Sequence, residues 1–127
     1  MLTLEEILSD TAMLPEFRHC DVIRIDSRGE NGGTPLHWMA VLGDVVAIRI
    51  LISNGADINI VDDNGNTPLH EATICRQVVA VSALLNLEAS ATQKNKDGLT
   101  PYDIAQKDNF DPIKKLFKQS FHKYMSD

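Results

Sequence analysis

Thr34-Pro35-Leu36-His37 occurs again, unchanged, as Thr67-Pro68-Leu69-His70, 33 residues further on. Another step of 33 reaches Thr100-Pro101-Tyr102-Asp103, a weakened copy in the same register, and Gly32, Gly65 and Gly98 keep the same beat. Self-similarity at a fixed period of this size means one supersecondary unit stacked on itself, so it outranks any local pattern. The chain is expected to be a repeat protein.

The residues of one period predict its shape. Thr34 can cap a helix with its hydroxyl, and Pro35 fits the first helical position, where its missing N–H costs nothing. Leu36, Met39 and Ala40 then recur at helical spacing. Gly43 ends that helix, and Asp44 can cap a second one carrying Ala47, Ile48, Leu51 and Ile52. Asn54-Gly55 supplies a left-handed stop. Asp57-Ile58-Asn59-Ile60-Val61 reads as an extended arm that turns over Asp63-Asn64-Gly65. The unit is helix, turn, helix, arm.

These residues resemble the ankyrin repeats. The likeness rests on Thr-Pro-Leu-His at both sites, Gly43-Asp44 at the turn, Gly55-Ala56-Asp57-Ile58-Asn59 after the second helix, and Gly65 before the next threonine. It covers residues 29 to 127 well and the first 28 poorly. It implies an all-α solenoid of about three helix-turn-helix repeats (34–66, 67–99 and 100–127, the last a C-terminal cap), with projecting hairpins. Residues 1–33 would form a degenerate N-terminal capping repeat, since terminal repeats need a polar outer face.

Length and composition fit one folded domain: 127 residues, 43% hydrophobic and 24% charged. No apolar run approaches the ~20 residues that span a bilayer, and the acidic start Met1–Glu6 is unlike a secretory signal. Cys20 and Cys75 lie in different units and suggest no disulfide framework, which points to a reducing cytoplasm. Thr3-Leu4-Glu5-Glu6 reads as a capping box opening a short helix to about Ser9, with Leu2 and Ile7 as its hydrophobic staple. A second short helix is expected over Pro15–His19, and Asp21–Ile25 alternates like a strand. At the other end, Asp111-Pro112 starts a helix whose Ile113, Leu116, Phe117, Phe121 and Tyr124 form an apolar stripe. Lys114, Lys115, Lys118 and Lys123 occupy its other face.

The middle repeat departs from the pattern. Arg76 stands for the turn glycine and Glu88 for the glycine after the second helix, and Ala91-Thr92 replace Ile58-Asn59. The helix between keeps Ala80, Val81, Leu84 and Leu85, so its apolar face is retained.

Chemistry is hard to build from these residues. His37 and His70 stand on adjacent units, whose helices pack ~8–10 Å apart, whereas ligands of one zinc lie within ~2.1 Å of it. In the family this histidine hydrogen-bonds locally and between repeats. His19 and His122 have no convergent partners in the sequence. Cys75 has no base and orienter placed to activate it, and no phosphate-binding glycine motif is present. The expectation is a non-enzyme, with no metal and no cofactor.

The resemblance also implies where a partner binds. The residues after the alanines of each inner helix, and the hairpin tips, face a concave groove. Here they are Val41-Leu42 and Ile74-Cys75, all apolar, with Trp38 on the same helix as the first pair, and Lys107-Asp108 in the third repeat. Tryptophan is a common hot-spot residue. Residues 1–66 carry eleven acidic against four basic residues, the remainder seven against eight. Glu30, Asp62 and Asp63 place part of that excess at hairpin tips, which favours a basic partner and disfavours nucleic acid. Asn64, Asn66 and Glu71 complete the candidate binding set. The chain is therefore expected to bind another protein as a free monomer, as an inhibitor such as an immunity protein that neutralises a toxic enzyme. A scaffold or adaptor is the alternative.

Overall fold

The computed structural model describes residues 2–20 and 23–125, with side chains described as far as Phe121. The described residues form seven α-helices and one 3-10 turn, Pro15–Phe17, with no strand. Helix α1 (Leu4–Ala12) precedes three pairs: α2 (Pro35–Leu42) with α3 (Val45–Ser53), α4 (Pro68–Ile74) with α5 (Val78–Asn86), and α6 (Pro101–Asp108) with α7 (Asp111–Met125). The first helices of the pairs pack in the order α2, α4, α6, while α3 packs on α5 and α5 on α7. This is an all-α solenoid of two helical layers, as the period predicts.

Each inner helix is started by the repeated motif. Thr67 N–H donates to His70 Nδ1 at 3.0 Å, and His70 N–H donates back to Thr67 Oγ1 at 3.3 Å. Asp103 does the same work in the weakened copy: its Oδ2 accepts from Thr100 N–H and its N–H donates to Thr100 Oγ1, both at 3.0 Å. Asp44 caps α3 by accepting Ala47 N–H at 3.1 Å. Register then builds the core. Leu51, Leu84 and Phe117 stand one period apart on the outer helices, and each is fully buried. Ala47, Ala80 and Ile113 form a parallel row, buried to the same degree.

The irregular turns keep the backbone shape that glycine would have given. Arg76 and Glu88 adopt φ of 55° and 69°, against 74° and 100° at Gly43 and Gly55 one repeat earlier. Arg76 also grips the next unit: its Nε and Nη2 donate to Asp108 at 3.0 and 2.9 Å, and its guanidinium lies 4.7 Å from the Phe110 ring centre.

Several local expectations are corrected. The arm at 57–61 is not extended throughout; Asp57 Oδ1 accepts Asn59 N–H and bends the chain into a turn at Ile58-Asn59. Helix α1 runs to Ala12, past the expected end at Ser9. Its cap is only half of a capping box, since Thr3 accepts Glu6 N–H but the Glu6 carboxylate takes the Thr3 hydroxyl. The second short helix shrinks to the 3-10 turn at Pro15–Phe17. Of the expected strand, Asp21 and Val22 lie outside the described residues. Ile23–Ile25 runs into a turn because Ser27 Oγ captures Arg24 N–H at 2.7 Å. On α7, Ile113 and Phe117 are buried, and Leu116 and Phe121 pack against the core. Tyr124, Lys123 and His122 have side chains outside the described set.

Candidate protein-binding groove

The groove is framed by inner helices and by three hairpin turns stacked on one another. Each turn is closed by the same backbone bond: Gly32 N–H to Gly29 O, Gly65 N–H to Asp62 O, and Gly98 N–H to Asn95 O. Neighbouring turns are joined by Asp63 N–H to Asn31 O at 3.1 Å and Lys96 N–H to Asn64 O at 3.0 Å. Arg28 Nη1 adds two bonds, to Gly32 O and Val61 O, tying the first hairpin to the second.

The two histidines are the rivets between helices and hairpins. Thr34 N–H donates to His37 Nδ1, so that nitrogen carries no proton and Nε2–H donates to Asn66 O at 2.8 Å. His70 repeats the arrangement with Thr67 and with Leu99 O at 2.9 Å. Burial holds both rings below the usual histidine pKa, the bonds to Asn66 and Leu99 opposing it only in part. They are structural bridges between repeats, each occupied at both nitrogens.

The apolar candidates are partly gathered. Ile74, half exposed, lines a groove of about 360 Å³ with Leu99, Ile104, Lys107 and Asp108. Leu42 is 58% exposed at the end of α2, Cys75 is exposed, and Val41 is half-buried. Burial and the Glu71 carboxylate push the Cys75 thiol up, away from the reactive thiolate. Trp38 is shared between groove and interior: it packs against the core, and its Nε1 is buried without a hydrogen-bond partner. The backbone at Gly33 lies over that nitrogen, its Cβ position 3.4 Å away. The expectation that Trp38 is a free groove residue is corrected to that extent.

The polar candidates divide as well. Glu30, Asp63 and Asn64 are exposed at the tips. Asp62 is not; only 6% of it is accessible, and its Oδ1 accepts the N–H groups of Asn64 and Asn66 at 2.9 and 3.0 Å. Its expected role as an exposed steering charge gives way to holding the turn. Asn66 is also buried, with Oδ1 accepting from Asn95 Nδ2 at 2.9 Å. Glu71, half-buried, receives Asn66 Nδ2 at 3.5 Å and has its pKa raised to about 7, chiefly by burial and then by Asp62. Glu71 stands one period after Trp38 and one before Ile104, in the middle of the face.

Two groups were missed by sequence reasoning. Ile104 could have been found by adding 33 to Glu71, but attention fell on the residues after the alanines. Val46 and Val79, also one period apart, are 57% and 66% exposed at the starts of the outer helices. His19, expected to stand alone, has Nε2 3.6 Å from Cys20 Sγ, a contact between chain neighbours. Among the described residues, no group of three or more His, Cys, Asp or Glu is placed to hold a metal, and no helix is long and apolar enough to cross a membrane.

The neutral histidines give a pH prediction. Because their folded pKa values lie below the unfolded 6.5, the unfolded chain binds more protons once pH falls under that value. The stabilisation is present above pH ~6.5 and is lost as pH falls through the folded values. In a Glu71→Gln background, which removes the opposing carboxyl, the urea midpoint is expected to be lower at pH 5 than at pH 7. An equal midpoint at both pH values contradicts the buried-neutral assignment.

A stack of helix pairs with a hairpin-rimmed, partly apolar concave face defines a repeat-type interaction protein. The family model for ankyrin repeats (3 copies) matches residues 9–95 and 54–127, and the chain belongs to the ankyrin repeat family. Ankyrin repeats generally mediate protein–protein interaction and are typically non-catalytic. No curated protein matches the chain.

Proposed function

We propose that this protein is a non-catalytic binder that seats a segment of a partner protein along its concave face. The observation that carries this is the groove of Ile74, Leu99 and Ile104, floored by apolar side chains and rimmed by Lys107 and Asp108. Half of Ile74 is accessible although the core beneath it is fully packed, so the free protein gains little from an isoleucine there. A partner covering it would. The acidic excess of residues 1–66, with Glu30 and Asp63 exposed at the tips, favours a basic partner, and an inhibitor of the toxin-neutralising kind is the use that fits best. A scaffold is the second reading, favoured by Val46 and Val79, which give a second exposed apolar surface where outer helices begin.

Co-purification with mass spectrometry identifies the partner, and calorimetry on two variants then separates the readings. Ile74→Glu puts an unpaired charge into the covered groove and is expected to weaken binding by at least ~2 kcal/mol, about 30-fold. Val79→Glu is expected to leave affinity unchanged. Both residues are half exposed or more in the free chain, so both variants are expected to keep the wild-type unfolding midpoint. The reverse pattern of losses moves the binding surface to the outer edge.

A further inference from the structure

We infer that Asp62 and Glu71 share one proton, and that release of this proton switches the charge at the centre of the docking face. The inference rests on reading that face as the binding surface and adds its regulation. Asp62 is buried and its Oδ1 accepts two backbone N–H groups, which hold it as the anion. Glu71 comes from the first turn of α4 and converges on the same Asn66: Asn66 N–H binds Asp62, while Asn66 Nδ2 reaches Glu71 Oε1 at 3.5 Å. Its one long amide bond is a poor substitute for water. Beside a fixed anion and half-buried, Glu71 keeps its proton and donates it to Asp62, and a rise in pH sends that proton to solvent.

The surroundings do not neutralise the pair. On α4 itself the titratable neighbours are His70, uncharged and bonded at both nitrogens, and Cys75, whose thiol feels Glu71. From α2 the only one is His37, held neutral. Helix α5 carries no charged residue. From α6, Arg76 takes Asp108 and Thr100 takes Asp103, leaving Lys107 across the groove floor from Ile74. From the hairpins, Arg28 is spent on Gly32 and Val61 carbonyls, Asp63 is exposed, and Lys94 acts on Asp103. Lys96 and Asp97 are exposed on the third hairpin. The groups that move Glu71 are Asp62 and Asn66.

The consequence lies in the stack. Trp38, Glu71 and Ile104 occupy one position on successive inner helices. With Glu71 protonated the row is uncharged; with Glu71 ionised a carboxylate sits at its middle, beside the Asp62 anion. A basic partner is then better received at higher pH.

Carbon-detected NMR of the free protein, following the Glu71 side-chain carboxyl from pH 4 to 9, tests this without any partner. The expected midpoint is about 7, falling by about one unit or more in Asp62→Asn, whose amide oxygen can still hold the turn. A wild-type midpoint in the ordinary glutamate range overturns the proposal, and so does an Asp62→Asn midpoint unchanged from wild type. Should Asp62→Asn fail to fold, the pH dependence of wild type against Glu71→Gln decides. A carboxyl raised in the fold stabilises at low pH and loses that stabilisation as pH rises through its folded value. The urea midpoint of Glu71→Gln relative to wild type is therefore expected to rise between pH 5 and 8, and a constant difference overturns the pairing. Because no partner takes part, failure here leaves the docking surface standing, and failure of groove binding leaves the titration standing.

Discussion

Leu69→Ala is expected to unfold the entire stack at a much lower urea concentration than wild type. Leu69 follows Pro68 at the start of the central inner helix and has no accessible surface. Truncating it removes the transfer energy of the lost methyl groups and leaves a cavity, a combined cost of ~2–5 kcal/mol. Helix α4 contacts α2 on one side and α6 on the other, so the cavity weakens both interfaces of a structure held by nearest-neighbour contacts. Circular dichroism should still show one transition, moved to lower denaturant. Leu42→Ala is the control: at 58% exposure its effect should stay within ~0.5 kcal/mol. An unchanged midpoint for Leu69→Ala contradicts the packing described above.

Gly65→Ala is expected to come second in magnitude. Gly65 has a φ of 76°, where an L-residue costs ~1–2 kcal/mol. Its position is also crowded, because an added Cβ lies 2.9 Å from Lys96 N and 3.2 Å from Asn95 Cα. Both atoms belong to the backbone of the next hairpin and cannot swing aside. The substitution therefore strains the turn and pushes apart the Lys96 N–H to Asn64 O bond that joins the hairpins. A loss of ~2–4 kcal/mol is expected. Gly98 isolates the two terms: its φ is 77°, with nothing within 4 Å of the added Cβ. Gly98→Ala should cost the conformational part alone. Equal losses for the two variants, measured by urea denaturation, mean that the hairpins do not press on each other.

The contrast between Gly65 and Gly98 shows how far the sequence could be read. Both glycines were visible as beats of the period, and the helices followed from Thr-Pro and the apolar spacing, because those signals are local. Which glycine touches its neighbour is a matter of stacking distance, and no residue type encodes it. Asp62 and Asp63 make the same point for the site. They are adjacent acids in one turn; one is folded under by two backbone N–H groups and the other faces water. Counting charges gave both the same role. Arg76 and Glu88 looked like lost glycines, yet the surrounding helices hold them in the left-handed region. Trp38 was legible as a large apolar residue on an inner helix, but not the cover that Gly33 places over its nitrogen. Where a side chain's fate depends on the next repeat, the sequence of its own repeat is silent.

The central claim is that the concave face receives a partner protein. Hydrogen exchange by mass spectrometry, run on the chain alone and with its co-purified partner, tests this most directly. The account predicts added protection in peptides covering the hairpin tips at 30–32 and 62–66, in Trp38–Leu42 and in Ile74–Cys75, with α3 and α5 little changed. Added protection confined to α3 and α5, with the inner helices and hairpins unaltered, would contradict it.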